Sequence, residues 1–185
     1  MAVKNNRRTK ITKMLLKSSL IELMHEKSIS QITIKEICDT AELNRSTFYL
    51  HYTDQFALLS DIENEIMEKT FEYLKDVGSN LDTLTYIETF LNYVKKNQDI
   101  FQTLLCRQEN VSFQTLFIEK TMEHIKGNLP SLGSIEKEKY IYTFVMHGCV
   151  HIIMEWISSD FDLPEADIAS VIFRLCDQVK DAYRE

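Results

Sequence analysis

The 185-residue chain has only four glycines and two prolines. Folds rich in tight turns draw on both residue types, Gly for positive φ and Pro for a pre-set turn backbone, so their scarcity excludes a chain of short hairpins. No apolar/polar alternation runs long enough to suggest a strand, while period-3.6 apolar patterns occupy most of the chain, and the composition reads as all-α. The four cysteines, Cys38, Cys106, Cys149 and Cys176, form no Cys-x-x-Cys pair, and no apolar N-terminal run marks a secretory leader. A cytoplasmic protein with reduced thiols is expected. No apolar stretch approaches the ~20 residues that span a bilayer, so no membrane association is expected. Enzyme signatures are missing as well: there is no Gly-rich phosphate loop, no Gly-x-Ser-x-Gly and no carboxylate pair in an otherwise apolar stretch. Neither catalysis nor a cofactor is expected.

Positive charge is scarce overall, with a net charge of −7, which argues against a nucleic-acid partner until the charge is followed along the chain. Residues 1–60 hold nine Lys/Arg and six Asp/Glu, a local +3, and the remainder carries −10. A basic head on an acidic body suits a protein that presents one end to phosphates and keeps the other away.

The densest signal lies in residues 33–52, TIKEICDTAELNRSTFYLHY. Thr33 and Glu36 have capping-box spacing, which starts a short helix just before Ile34, Ile37 and Cys38. Small Ala41 permits a close helix crossing, and Asn44 is a good N-cap for a second short helix that puts Phe48 and Tyr52 on one core-facing side. This is a helix-turn-helix, whose second helix enters the DNA major groove with its first residues. Asn44, Arg45, Ser46, Thr47 and Tyr49 are therefore candidate contacts. Arg45 can bind guanine O6 and N7 bidentately, and Ser46 or Thr47 can read a base edge or hold a phosphate.

With Leu16, Leu20, Leu23 and Met24 upstream, then Thr33-Ile34, Glu36-Ile37, Ala41 and Thr47-Phe48-Tyr49-Leu50-His51-Tyr52, the chain resembles the DNA-binding domain of TetR-family transcriptional regulators over about residues 9–62. The run Asn44-Arg45-Ser46-Thr47-Phe48-Tyr49 is most similar to the subgroup of dihydroxyacetone-kinase regulators. One departure is Thr53-Asp54-Gln55, where the family usually has a Lys that contacts a backbone phosphate. The resemblance implies a three-helix head with the helix-turn-helix and an antiparallel helical C-terminal domain, about nine helices in all, divided as residues 1–53 and 54–185. It implies a homodimer on a pseudo-palindromic double-stranded operator, acting as a repressor released by a small-molecule effector. A transcriptional activator whose body binds a protein partner carries the same residues and stays open. By resemblance, Tyr49 and His51 face the DNA backbone and Thr33 offers its hydroxyl and N–H to phosphate, with Lys35 and Lys17 as phosphate neighbours.

Beyond the head, helices are expected from about Asp54 to Gly78, Thr83 to Lys96, Gln98 to Cys106, Ser112 to Lys126, Ile135 to Ile157 and Pro164 to Tyr183. Phe90, Tyr93, Phe101, Phe117, Tyr140 and Phe144 are candidates to line an effector pocket. The last two helices are more apolar than a small monomer needs, so Gly148, Ile152, Trp156, Ile168, Ile172 and Leu175 are candidates for a two-fold interface. His147, His151 and Glu155 share a helix face at metal-ligand spacing, but a His pair in an apolar helix reads first as a core or interface element, and no metal is expected.

Overall fold

A computed structural model describes residues 2–77, 82–106, 111–125 and 135–183. Among the described residues there are nine α-helices and no strand: α1 (Ala2–Met24), α2 (Ile34–Thr40), α3 (Arg45–Tyr49), α4 (Gln55–Val77), α5 (Thr83–Lys96), α6 (Gln98–Leu105), α7 (Val111–Ile125), α8 (Ile135–Ser158) and α9 (Glu165–Ala182), with a 3₁₀ turn at Ile29–Gln31. The all-helical class and the helix number are as expected. The helix stops expected at Gly78-Ser79-Asn80 and Gly127, and the loop with Pro130 and Gly133, lie outside the described residues. None of the described helices is long and apolar enough to cross a membrane. The chain forms two compact units, residues 1–66 and 67–185, which divide inside α4.

In the first unit, Leu16, Leu20 and Met24 recur along one stripe of α1 and are buried with Ile37 and Cys38 of α2, Phe48 of α3, and Leu58, Leu59 and Ile62 of α4. α1 begins at Ala2, and nothing in Ala2–Thr9 is a helix breaker. At α2 the capping box forms as its sequence requires. The Glu36 N–H donates to Thr33 Oγ1 at 3.2 Å, and the Thr33 N–H returns a bond to Glu36 Oε2 at 2.9 Å. α2 ends in a Schellman motif: Leu43 N–H reaches Cys38 O at 2.9 Å and Glu42 N–H reaches Asp39 O at 3.3 Å. Glu42 takes the left-handed position, φ 53°, that glycine usually fills.

In the second unit α5 packs on α9, and α8 packs on α6, α7 and α9. Asp82 caps α5 by accepting from Thr85 N–H at 3.1 Å, and Lys95 joins Glu165 at 2.9 Å to tie α5 to the start of α9. The end of α8 repeats the device of α2. Phe161 N–H bonds Trp156 O at 2.9 Å and Asp160 N–H bonds Ile157 O at 3.1 Å. The hydrophobic contact that accompanies a Schellman motif is the edge-on pair Trp156–Phe161, with centroids 4.8 Å apart. The Trp156 indole N–H then reaches Leu163 O at 2.8 Å, fixing the path from α8 to α9.

A side chain in the left-handed region costs roughly 1 kcal/mol that glycine avoids, partly offset by the greater freedom of an unfolded glycine. Glu42→Gly is therefore expected to stabilise the protein by about 0.5 kcal/mol. The check is a higher urea midpoint at unchanged m-value.

Candidate nucleic-acid interface

The helix at the centre of this site, α3, is five residues long, too short to persist without tertiary support. Its position is set by two aromatic residues on its inner side. Phe48 is fully buried, and Tyr52, one turn on, is 6% exposed with its ring 5.9 Å from that of Phe48. The Tyr52 hydroxyl donates to Asp61 Oδ2 of α4 at 2.6 Å. Asp61 in turn receives Lys17 of α1 at 2.9 Å and Lys13 at 3.4 Å, and Lys17 also pairs with Glu65. Lys13 lies 5.2 Å over the Tyr52 ring, within cation–π range. One carboxylate thus binds α1, the exit of α3 and α4 together.

Burial pushes the Tyr52 phenol well up, and the hydrogen bond to Asp61 pushes it further. Burial also opposes ionisation of Asp61, but the Tyr52 hydroxyl and the Lys17 ammonium outweigh it and hold the carboxyl below its ordinary value.

With Phe48 and Tyr52 inward, the 100° step per residue puts Ser46 and Leu50 on the opposite side of α3 with Tyr49 beside them, while Arg45 opens the helix nearer the core edge. All four are exposed, Leu50 most of all at 79%. Asn44 stands at the N-cap but makes no side-chain capping bond, and it too is exposed. Thr47 and His51 are half-buried at the margins, and Lys35 is exposed on α2. The helix-turn-helix therefore leaves Asn44, Arg45, Ser46, Tyr49 and Leu50 exposed. Leu50 was missing from the sequence-based candidates. Its signal was an apolar residue standing between two core aromatics, where strict periodicity calls for a polar one.

Three electrostatic expectations change. Lys17, read as a phosphate neighbour, is held by Asp61 and Glu65. The Thr33 hydroxyl and N–H, expected to meet phosphate, both donate to Glu36 Oε2, at 2.7 and 2.9 Å. Hydrogen bonding to Lys27, at 2.5 Å, and then to Thr33 lowers the Glu36 carboxyl to about 2, so it stays ionised. The positive bias of residues 1–60 is also cancelled once the compact unit is counted to residue 66, because Asp61, Glu63 and Glu65 bring it to nine acids against nine bases. The missing Lys at the start of α4 has a local explanation. Asp54 takes the capping role there, accepting from Ala57 N–H at 2.8 Å.

This geometry joins a helix-turn-helix to a second helical unit, and a family model identifies the second. Residues 82–178, just over half of the chain, match the family model described as "Transcriptional regulator C-terminal region", of TetR type. The chain belongs to the TetR family of transcriptional regulators. It is 27% identical over 180 residues to the "Uncharacterized HTH-type transcriptional regulator YxbF" of Bacillus subtilis strain 168, covering 88% of this chain and 44% of that protein. It is 27% identical over 115 residues to the "HTH-type dhaKLM operon transcriptional activator DhaS" of Lactococcus lactis subsp. lactis strain IL1403, covering 62% and 58%. The chain thus spans about half the length of these curated relatives. A TetR transcriptional regulator from Streptococcus agalactiae 2603V shares the fold, with a TM-score of 0.73 at 19% identity over 95% of this chain and 99% of that one.

In the C-terminal unit of this TetR-family chain, the six candidate pocket residues separate. Phe101 and Phe117 are buried. Half-buried Tyr93 meets Phe101 at 6.2 Å, and half-buried Phe90 meets Phe117 at 5.9 Å. Tyr140 and Phe144 lie on the surface instead, 68% and 72% exposed. The six candidate interface residues separate as well. Trp156, Ile168 and Ile172 are buried within the protomer, Ile152 is half-buried, and Gly148 and Leu175 are exposed. Among the described residues no group of three or more His, Cys, Asp or Glu is placed to hold a metal ion.

Because Asp61 titrates below its ordinary value when folded, its stabilisation is present above the unfolded carboxylate pKa and fades as pH falls through the folded one. Asp61→Asn is expected to lower stability at neutral pH and to lose less on acidification than wild type. Urea unfolding from pH 7 down to pH 3 reads this, and parallel curves for the two proteins would count against it.

Proposed function

We propose that this TetR-family protein binds a two-fold symmetric DNA operator as a homodimer and represses transcription until a small effector releases it. The observation that carries the DNA reading is the accessible part of α3, where Asn44, Arg45, Ser46, Tyr49 and Leu50 are exposed while Phe48 and Tyr52 are buried. Arg45 would read guanine, Ser46 a neighbouring base edge, and Leu50 a thymine methyl. Thr47, Tyr49, His51 and Lys35 would meet the backbone. Half-sites should lie ~34–36 Å apart or a multiple of it.

The dimer reading is supported by one exposed stripe. Tyr140 and Phe144 on α8, which also carries Gly148, and Val171 at 44% and Leu175 at 53% on α9, leave large apolar side chains in solvent. A Cβ built on Gly148 would meet nothing within 4 Å of the protomer, room that suits a second helix. The effector reading is supported by the two ring pairs Phe90–Phe117 and Tyr93–Phe101 in the C-terminal unit. A second reading, activation, is favoured by the relative from Lactococcus lactis, whose name calls it an activator. A reporter that falls when the gene is deleted would select activation, and one that rises would select repression.

Selection of random duplex DNA by the purified protein tests the proposal. A two-fold symmetric motif is expected, and no enrichment would overturn it. On the selected duplex, Arg45→Ala should cost ~1–3 kcal/mol and relax one base position, whereas Lys35→Ala should weaken all sequences alike. For the dimer, Gly148→Leu should leave the protomer folded, since the site is open and leucine favours helix, yet sediment as a monomer. A Gly148→Leu dimer would remove this face from the interface.

A further inference from the structure

The helices α8 and α9 hold a pair of thiols that the regulator reading does not use. Cys149 Sγ of α8 lies 3.6 Å from Cys176 Sγ of α9, a sulfur–sulfur contact between residues 27 apart in sequence, and both side chains are half-buried rather than sealed in the core. The other two cysteines are differently placed. Cys38 is buried in the first unit, and the Cys106 thiol faces the carbonyl of Met154 at 3.7 Å. Closing the Cys149–Cys176 contact to a bond of about 2.05 Å needs a movement of about 1.5 Å, within reach of small side-chain and helix adjustments.

We propose that Cys149 and Cys176 form a reversible dithiol site that peroxides oxidise to an α8–α9 disulfide, and that this oxidation changes DNA affinity. The second half rests on the DNA-binding reading above; the first does not. The two thiols have unequal parts. Either thiol can donate across this contact; with Cys176 ionised the Cys149 S–H donates to it, which lowers the Cys176 pKa, while the same hydrogen bond and then burial raise that of Cys149. Cys176 is therefore the better source of thiolate, the nucleophilic form. Its sulfur attacks one peroxide oxygen, the O–O bond breaks, and hydroxide leaves and takes up a proton as water. Cys176 is then a sulfenic acid. The Cys149 sulfur displaces the hydroxyl from that sulfenic acid, the S–S bond forms, and the hydroxyl departs as water with the Cys149 proton. Two thiols and one hydrogen peroxide become one disulfide and two waters, the sulfurs supplying both electrons.

The consequence lies in the location. α8 and α9 are packed against each other and also carry the exposed Tyr140, Phe144, Val171 and Leu175. A shift of one helix on the other alters the relative placement of these side chains, and with it the surface on which a second copy would dock.

The test uses the full-length protein, reduced, freed of reductant and titrated with hydrogen peroxide. Remaining thiols are then alkylated, peptides are mapped by mass spectrometry, and DNA is titrated. The expected result is loss of two hydrogens in mass, a dithiothreitol-reversible link between the Cys149 and Cys176 peptides, and alkylatable Cys38 and Cys106. Cys149→Ser should instead stop at a sulfenic acid on Cys176, trapped by dimedone, and Cys176→Ser should show no linkage. Reaction at Cys38 or Cys106 first, a link between chains, or over-oxidation of Cys176 without a link would overturn the site. On the selected duplex the oxidised protein should differ from the reduced one by about five-fold or more in affinity, and Cys149→Ser should not reproduce that change. A disulfide with unchanged DNA affinity would overturn the regulatory half. Reduced protein that selects no duplex would overturn the DNA reading while the linkage result still decides the dithiol site.

Discussion

The Asp61 carboxylate is the constraint on which the exposed surface of α3 depends. A five-residue helix has no stability of its own to hold four or five side chains at a fixed angle, so the orientation of α3 has to come from the residues at its exit and the helices beneath it. Phe48 supplies buried area without direction about the helix axis. Tyr52 supplies direction, because its hydroxyl must reach one oxygen of Asp61. That oxygen is itself located by Lys17 and Lys13 from α1. On the proposed reading, a substitution in this network would therefore act on base reading without touching a base, by letting α3 turn under its outward face.

The same network shows why charge patterning along a sequence is an incomplete guide to a nucleic-acid surface. Lys17 looked as available as Lys35 in the sequence, since both are basic residues on amphipathic helices near the motif. What separates them is a pair of acids more than forty residues away, and no local pattern records that pairing. Asp61, Glu63 and Glu65 lie just past the stretch that reads as basic, yet they belong to the same compact unit. Glu63 is buried, its Oε1 has no hydrogen-bond partner among the described residues, and burial pushes its carboxyl up. A count of charges along the sequence does not record that this carboxyl lies inside the unit rather than on its surface.

Short-range chemistry, by contrast, was legible. The capping box at Thr33 and Glu36, the inward Phe48 and Tyr52, and the opening of α9 after Pro164 arise from spacings of three or four residues, and the structure contains each of them. Less legible was which way the long apolar helices face. α8 carries apolar residues on two sides, so periodicity alone did not say which side is core. The decision comes from the α8–α9 turn. The Schellman motif and the Trp156–Phe161 pair bury Trp156, and once Trp156 points inward so do Ile153 and Val150, which leaves Tyr140 and Phe144 outside. The Schellman caps themselves were hidden because Glu42, Asp160 and Phe161 stand where glycine would have advertised a left-handed residue.

That outward stripe changes how the last two helices should be understood. An apolar face of this kind is costly to leave in water, since each large apolar side chain brought out of solvent contributes roughly 1.5–3 kcal/mol. If the stripe were only excess core, polar substitutions would be tolerated there and would improve solubility. If it is the docking surface of a second copy, its geometry sets the spacing of two recognition helices, and any event that moves α8 against α9 acts on both at once. The ion pair Lys95–Glu165, the indole bond from Trp156 to Leu163, and the thiol contact between Cys149 and Cys176 all bear on the position of α9. The first two are permanent features of the fold. Of the three, only the thiol contact can be made covalent and then undone, so it alone could hold the helix pair in a second arrangement.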